Sequence, residues 1–426
     1  MTSETRLVLT LLVFSATILL VLIRPRGWNE AWWAAGGALL MLAGRLETPR
    51  QAWRATRAGQ DALLFLLALL LLSALLARSG FFEWAAIQAA RLARGDARRL
   101  YRNTFLLGAL VTAALSLDTT AVILTPVVLA FVGRLRLPAR PYVFACALVA
   151  NAASLPLPIS NLTNLLLAGP FRLGFGGFFL RMLLPQCAAL LVVYILCRRL
   201  FRADLPAVFA PDDLPDPHSV VPHADYFRAS VGGLGLVLAG YFFAPLAHVP
   251  AYAVAFAACL VLSVWGWRAE RVGWTLLGEI SWPVFPFVAG LLVLLGGVEA
   301  LGVTGWIASW VGRLTSGSLA GMGVVAGGAG LASNLVNNVP AALLARGALV
   351  NAHAGPPFVY AVLLGTDIGP TLTLSGSLAT LLVLTVARKS GAALSGSEFL
   401  RVGLLVTPAA LAVALLTLWL TFRLVP

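Results

Sequence analysis

The chain has 426 residues, 60% of them hydrophobic and only 11% charged, with a mean hydropathy of +0.91. Soluble globular domains carry about 25% charged residues, so this composition excludes one and leaves an all-α polytopic membrane protein. The net charge of +13 would point to nucleic acid in a soluble chain. Here Arg and Lys stand mostly at the ends of apolar segments, as positive-inside topology requires, so the expected surroundings are membrane lipid and no nucleic-acid partner is called for.

In chain order, the first apolar run is Leu7 to Ile23. Only Arg6 precedes it, and Arg24-Pro25-Arg26 follows in place of a small-residue cleavage site, so it reads as a span and not as a removed leader. Ala62 to Ala77 is the next long run, and Phe81 to Arg99 follows it as an amphipathic helix. Phe81, Phe82 and Trp84 mark its apolar side, and Arg91, Arg94, Arg98 and Arg99 face headgroups, the pattern of an interfacial helix. Residues 101–133 form a hydrophobic hairpin whose tip is Ser116-Leu117-Asp118-Thr119-Thr120. Residues 141–169 form a span broken at Ser154-Leu155-Pro156-Leu157-Pro158-Ile159-Ser160-Asn161, and Met182 to Cys197 closes the first repeat, residues 1–202.

A linker over 203–227, rich in Pro and Asp, joins the halves. The second repeat, residues 228–426, then returns to the same order: runs Val231 to Phe243, Tyr252 to Trp265 and Val284 to Val298, a hairpin at 318–350, a broken helix at 357–387, and a last span over Leu404 to Leu420. The hairpin tip is Ser333-Asn334-Leu335-Val336-Asn337-Asn338-Val339-Pro340, and the break is Thr366-Asp367-Ile368-Gly369-Pro370 through Gly376-Ser377. Gly80, Trp84, Arg91 and Leu92 each recur at an offset of 222, as Gly302, Trp306, Arg313 and Leu314. The fold expected is therefore two inverted repeats, with about ten transmembrane helices, two re-entrant hairpins and two broken helices. An odd number of crossings per half is what inverts them, and placing the Phe81 helix in the cytoplasm puts both termini outside.

Paired interruptions in two hydrophobic halves mark the midplane site of a secondary transporter, because unwound backbone supplies ligands where lipid cannot. Asp118 and Asp367 are the acids inside those breaks. Intramembrane carboxyls are costly and so functional by default, and with Thr119 they are the candidates for proton or ion coupling. Asn151, Ser154, Ser160, Asn161, Asn164, Asn337, Asn338, Thr373, Ser375, Gly376 and Ser377 are the candidates for substrate binding, offering neutral amide, hydroxyl and backbone groups. Read one at a time, each of these is ordinary helix-to-helix glue; clustering at four repeat-matched breaks favours a site. Glu279 and Glu299 read as boundary residues. Cys146, Cys187, Cys197 and Cys259 read as scattered small hydrophobes. No Walker A sequence, dinucleotide glycine fingerprint or zinc-type spacing occurs, so no cofactor, metal or enzymatic activity is expected, and transport must draw on an ion gradient or on a partner.

At these residues the chain resembles the bacterial arsenite permease family, the arsenical pump membrane proteins of the ion transporter superfamily. The resemblance rests on Ser79-Gly80-Phe81-Phe82-Glu83-Trp84-Ala85-Ala86, on Asp118 with Ala121-Val122-Ile123-Leu124-Thr125-Pro126, and on Ala153-Ser154-Leu155-Pro156-Leu157 with Ser160-Asn161-Leu162-Thr163-Asn164. Asn337-Asn338-Val339-Pro340, Gly365-Thr366-Asp367-Ile368-Gly369-Pro370 and Gly376-Ser377-Leu378-Ala379-Thr380 complete it. It implies a multi-pass protein of the cell inner membrane that exports arsenite and antimonite, by proton antiport or through a docked cytoplasmic arsenite-stimulated ATPase, and homodimers are usual in that superfamily. The chain departs from the pattern at Leu117, Asn151-Ala152 and Thr371, where Asn, Asp-Thr and Lys are common. A coupled permease for a small anion such as carboxylate or sulfate, and a non-coupled channel, are the alternatives.

Overall fold

The computed structural model describes residues 3–210, 214–314 and 317–424. Pro211 and the two aspartates after it, part of the expected linker, lie outside the described residues. The first half comprises α1 (Ser3–Ile23), α2 (Glu30–Ala43), α3 (Pro49–Ala58), α4 (Gln60–Arg78), α5 (Phe81–Arg91) and α6 (Ala97–Ala114). A short α7 (Leu117–Thr119) runs through a π-turn (Thr120–Leu124) into α8 (Thr125–Arg134), followed by α9 (Ala139–Ala152), α10 (Leu162–Ala168) and α11 (Phe175–Leu200). The second half comprises α12 (Ala224–Phe243), α13 (Ala251–Arg268), α14 (Val284–Glu299), α15 (Val303–Val311), α16 (Leu319–Val336), α17 (Asn338–Asn351), α18 (Pro356–Ile368), α19 (Leu378–Lys389) and α20 (Gly396–Leu424).

Among the described residues, eight helices are long and apolar enough to cross a membrane, and α14 with α15 would add a ninth as one bent span. Those two meet at 77°, so α15 leaves the direction of the span before it. The second helix, α2, has 14 residues; at 1.5 Å per residue it covers about 21 Å, less than a hydrocarbon core of about 30 Å.

The packing repeats across the halves in a reciprocal way. α2 lies against α14 while its counterpart α13 lies against α4, and the two closing helices α11 and α20 pack on each other. Reciprocal exchange of this kind is what a two-fold relation between repeats produces. Each half also turns at the same kind of residue. Gly80 (φ 82) precedes α5 and Gly302 (φ 78) precedes α15, the left-handed conformation that a side chain disfavours. The break helices start alike: Asn161 and Ser377 both have φ −145, ψ 144, and each side chain accepts the backbone N–H two residues on. Asn161 therefore corresponds to Ser377, and by the same offset Asn151 to Asp367.

The interfacial helix expected from Phe81 to Arg99 is shorter in the structure. It stops at Arg91, because Arg94 (φ 53) and Gly95 (φ 82) turn the chain and Asp96 caps α6 by accepting the N–H groups of Arg98 and Arg99. Arg98 and Arg99 thus open α6. With 11 residues α5 cannot span a bilayer; its Phe82, Ala86 and Ala90 are buried against neighbouring helices.

In the second half, α16 and α18 cross at very close range. A Cβ at Gly365 would stand 2.3 Å from the carbonyl oxygen of Ala326, so only glycine permits this approach, the small-residue device of membrane helix pairs.

Candidate functional site

The two broken helices meet through side chains that each half lends to the other. Asp367, at the end of α18, is fully buried. Its Oδ1 accepts from Asn161 Nδ2 at 2.9 Å and Thr163 Oγ1 at 2.7 Å, and its Oδ2 accepts from Ser154 Oγ at 3.1 Å. Ser154 and Asn161 belong to the break of the first half, and Thr163 to the first turn of α10 that follows it. Its counterpart Asn151 reaches the opposite way, donating from Nδ2 to Thr380 Oγ1 at 3.0 Å in α19. Asn164 donates to the carbonyls of Ser154 (2.7 Å) and Leu157 (3.2 Å), which the break would otherwise leave bare. These contacts answer the rule that buried backbone groups must be paired.

Each break is also tied to the hairpin of its own half. Ser160 Oγ donates to the Ala113 carbonyl at 2.8 Å. In the second half the Asn338 N–H donates to the Gly376 carbonyl at 3.0 Å, and Asn337 Nδ2 to the Ser375 carbonyl at 3.3 Å. Asn337 sits at φ 76, ψ 156, a region nearly reserved for glycine that costs about 1–3 kcal/mol. Thr373 donates from both N–H and Oγ1 to Asn334 Oδ1, at 3.1 and 2.7 Å.

Asp118 is placed quite differently. It lines a cavity of about 500 Å³ together with Ser73, Glu83, Thr119, Glu279 and Leu378. No hydrogen bond or ion pair to its carboxylate occurs among the described residues. Beside it Thr119 Oγ1 lies 2.7 Å from Ser73 Oγ and 3.0 Å from Ser116 Oγ. Glu30 and Glu279 also line the cavity, but Arg24 (3.0 Å) and Arg78 (2.7 Å) neutralise them. The cavity runs from the tip of the first hairpin to the end of the molecule formed by the end of α4, the start of α2 and the start of α14.

The eleven expected binding residues and three coupling residues thus divide. Asp118 and Thr119 line the cavity; Ser154, Asn161, Asn164 and Asp367 join in one buried network, and Asn151 bonds Thr380; Ser160 holds the first hairpin to its break, and Asn337, Asn338, Ser375 and Gly376 the second; Thr373 bonds Asn334, and Ser377 caps α19. Four residues that the sequence did not single out matter to this arrangement. Gln186 of α11 spans the first break, its Nε2 donating to the Ala152 carbonyl (2.9 Å) and its Oε1 accepting from Leu155 N–H (3.0 Å). Asn334 does comparable work on the second, donating to the Gly369 carbonyl at 2.9 Å. Glu83 and Ser73 line the cavity. A lone Gln inside the apolar α11 and a lone Glu inside Gly80–Ala90 were the signals available for two of them.

The sequence profile described as "Arsenical pump membrane protein" matches residues 9–422, nearly the whole chain. The chain belongs to this family. An arsenical pump membrane protein of Escherichia coli (strain K12) is 31% identical, covering 97% of this chain and 99% of its own, and that of Yersinia enterocolitica is 32% identical, covering 95% and 97%. Two solved transporters share the fold at much lower identity. The Alcanivorax borkumensis YdaH transporter superposes with a TM-score of 0.55 at 17% identity over 85% of each chain. Neisseria gonorrhoeae MtrF, described as illuminating a class of antimetabolite efflux pumps, superposes with 0.56 at 14% identity over 97% and 94%. The protein is accordingly a multi-pass membrane transporter of the arsenical pump family, and its relatives are named as pumps and transporters, not as enzymes.

Proposed function

We propose that the protein exports arsenite and antimonite from the cell, exchanging the neutral trihydroxide for protons, with Asp118 carrying the exchanged proton. The observation that carries this reading is the cavity at the first hairpin: an acid without a basic partner among the described residues, set beside the hydroxyls of Ser73, Ser116 and Thr119. A neutral hydroxide can trade hydrogen bonds with such groups without any buried countercharge. An acid in a low-dielectric setting can hold or release a proton as the cavity empties or fills.

Recognition by sulfur is the chemical rival for trivalent arsenic. Among the described residues no three His, Cys, Asp or Glu side chains cluster as an ion-holding group, and the cavity lining contains no cysteine, which supports recognition through oxygen. The acidic lining likewise speaks against a carboxylate or sulfate as substrate. In the same proposal Asp367 ties the halves together in this state, and its bonds to Ser154, Asn161 and Thr163 are broken and remade as the core moves against the outer helices.

Everted membrane vesicles provide the test. Arsenite uptake should require an acid-inside gradient and should fail in Asp118→Asn; antimonite should behave alike. No arsenite flux, or flux indifferent to the gradient and to both Asp118→Asn and Asp367→Asn, would sink the reading. Uptake that needs ATP and survives collapse of the gradient would instead identify a docked cytoplasmic ATPase as the driver.

A further inference from the structure

We propose that Glu83 is a proton-relay carboxyl, which leads the exchanged proton sideways out of the Asp118 cavity into a second, outer cavity. This rests on the reading that Asp118 carries that proton.

The outer cavity, about 410 Å³, lies between α5, α8 and the segment that joins the halves, with Ala130, Arg134, Pro215 and Val220 in its wall. Three residues belong to both cavities: Glu83, Pro126 and Val127. They form the partition, and among the three only Glu83 has a side chain able to accept or donate a proton. Its Oε2 is buried with no hydrogen-bond partner among the described residues. A carboxylate kept inside a membrane protein with an unsatisfied oxygen is expensive, and no structural bond in α5 explains its presence. At the matching position of the second half, offset by 222, the residue is Gly305, so the repeat's packing does not require a side chain here.

The charged groups around Glu83 suit the task. From the inner cavity it shares walls with Asp118 and with Glu30 and Glu279, which Arg24 and Arg78 already neutralise. From α8, Arg134 lines the outer cavity. Asp61 of α4, Arg91 of α5 itself, Arg98, Arg99 and Arg102 of α6, and His218 of the segment packed on α5 line neither cavity. The proton leaves the Asp118 carboxyl as one O–H bond breaks, an O–H bond forms on Glu83, and Glu83 then gives the proton to solvent in the outer cavity. Arg134 stands in the wall of that outer cavity. A lateral exit has a clear use in an antiporter: substrate enters by the wide inner cavity while the proton leaves by another door.

The test uses purified protein in proteoliposomes, with arsenite uptake driven by a pH gradient compared with arsenite-for-arsenite exchange, which moves no net proton. Glu83→Gln is expected to slow gradient-driven uptake about 100-fold or more, the scale on which positioned proton transfer contributes, and to leave exchange near the wild-type rate. Glu83→Asp should recover much of the uptake. Ala130→Trp, which fills the outer cavity and leaves Glu83 in place, should reproduce the Glu83→Gln defect and covers the case in which that variant fails to assemble. Gradient-driven uptake at the wild-type rate in Glu83→Gln or Ala130→Trp overturns the relay, as does an equal loss of uptake and exchange. If Asp118→Asn retains gradient-driven uptake, it is the coupling reading that fails, whatever Glu83 does.

Discussion

The two hairpins share one backbone plan and differ in chemistry. The first, α6 to α8, presents Asp118 to an open cavity, with Glu83 in the wall behind it. The second, α16 to α17, has Asn338 where the first has Asp118, α15 has Gly305 where α5 has Glu83, and the cavity of about 370 Å³ beside it is walled by apolar groups such as Ile307, Trp310, Leu314 and Leu344. A duplicated skeleton therefore carries two hairpins with different linings, ionisable groups beside the first and apolar groups beside the second. The broken helices show the reverse asymmetry: the acid, Asp367, stands in the second half and is saturated by donors from the first.

That contrast, an acid in a cavity wall without partners among the described residues against an acid locked in a network, sets the order of the expected effects. Asp118→Asn should reduce gradient-driven arsenite uptake about 100-fold or more with little change in thermal unfolding in detergent; a large fall in melting temperature would show that Asp118 is structural. Asp367→Ala should act mainly on assembly. It strands three buried donors, each costing about 1–3 kcal/mol, so unfolding should come many degrees earlier. An unchanged melting curve with abolished coupling would reverse the roles assigned to the two acids.

Gln186→Leu tests the bridge across the first break. It leaves the Ala152 carbonyl and the Leu155 N–H without partners and should cost about 2 kcal/mol, read as earlier unfolding with the substrate affinity of the surviving protein intact. Asn337→Gly should have the smallest effect. Relief of strain at φ 76, worth about 1–3 kcal/mol, offsets the loss of the hydrogen bonds to Val339 and Ser375. A strongly destabilised Asn337→Gly would show that its side chain, and not its backbone, holds the tip.

Much of this plan was legible because membranes leave few choices. Apolar length marks spans, and Pro, Gly, Asn and Ser inside an apolar run mark a break whose backbone must find partners. Gly80 and Gly302 announced the repeat by spacing and prove to be left-handed turns in both halves. Other features had no local signal. The helix expected to reach Arg99 ends at Arg91 because Asp96 prefers to cap the next helix. Gln186 looked like one polar residue in an apolar span, and nothing in its neighbourhood named Ala152 and Leu155 as its partners. Glu279 read as a boundary residue, yet it lines the cavity and pairs with Arg78 across about two hundred residues of chain.

The sequence by itself determined the membrane class, the duplicated order of spans, hairpins and breaks, and the family, since each depends on composition and spacing along the chain. Only the tertiary structure decided which polar group meets which. It turned Asp367 into the acceptor of the opposite half's break, opened Asp118 to a cavity shared with Glu83, and separated two acids that the sequence presents as a matched pair. The physical reason is that a hydrogen bond and a cavity wall are set by how two halves pack face to face, and residues brought together in that way stand some two hundred positions apart in the chain.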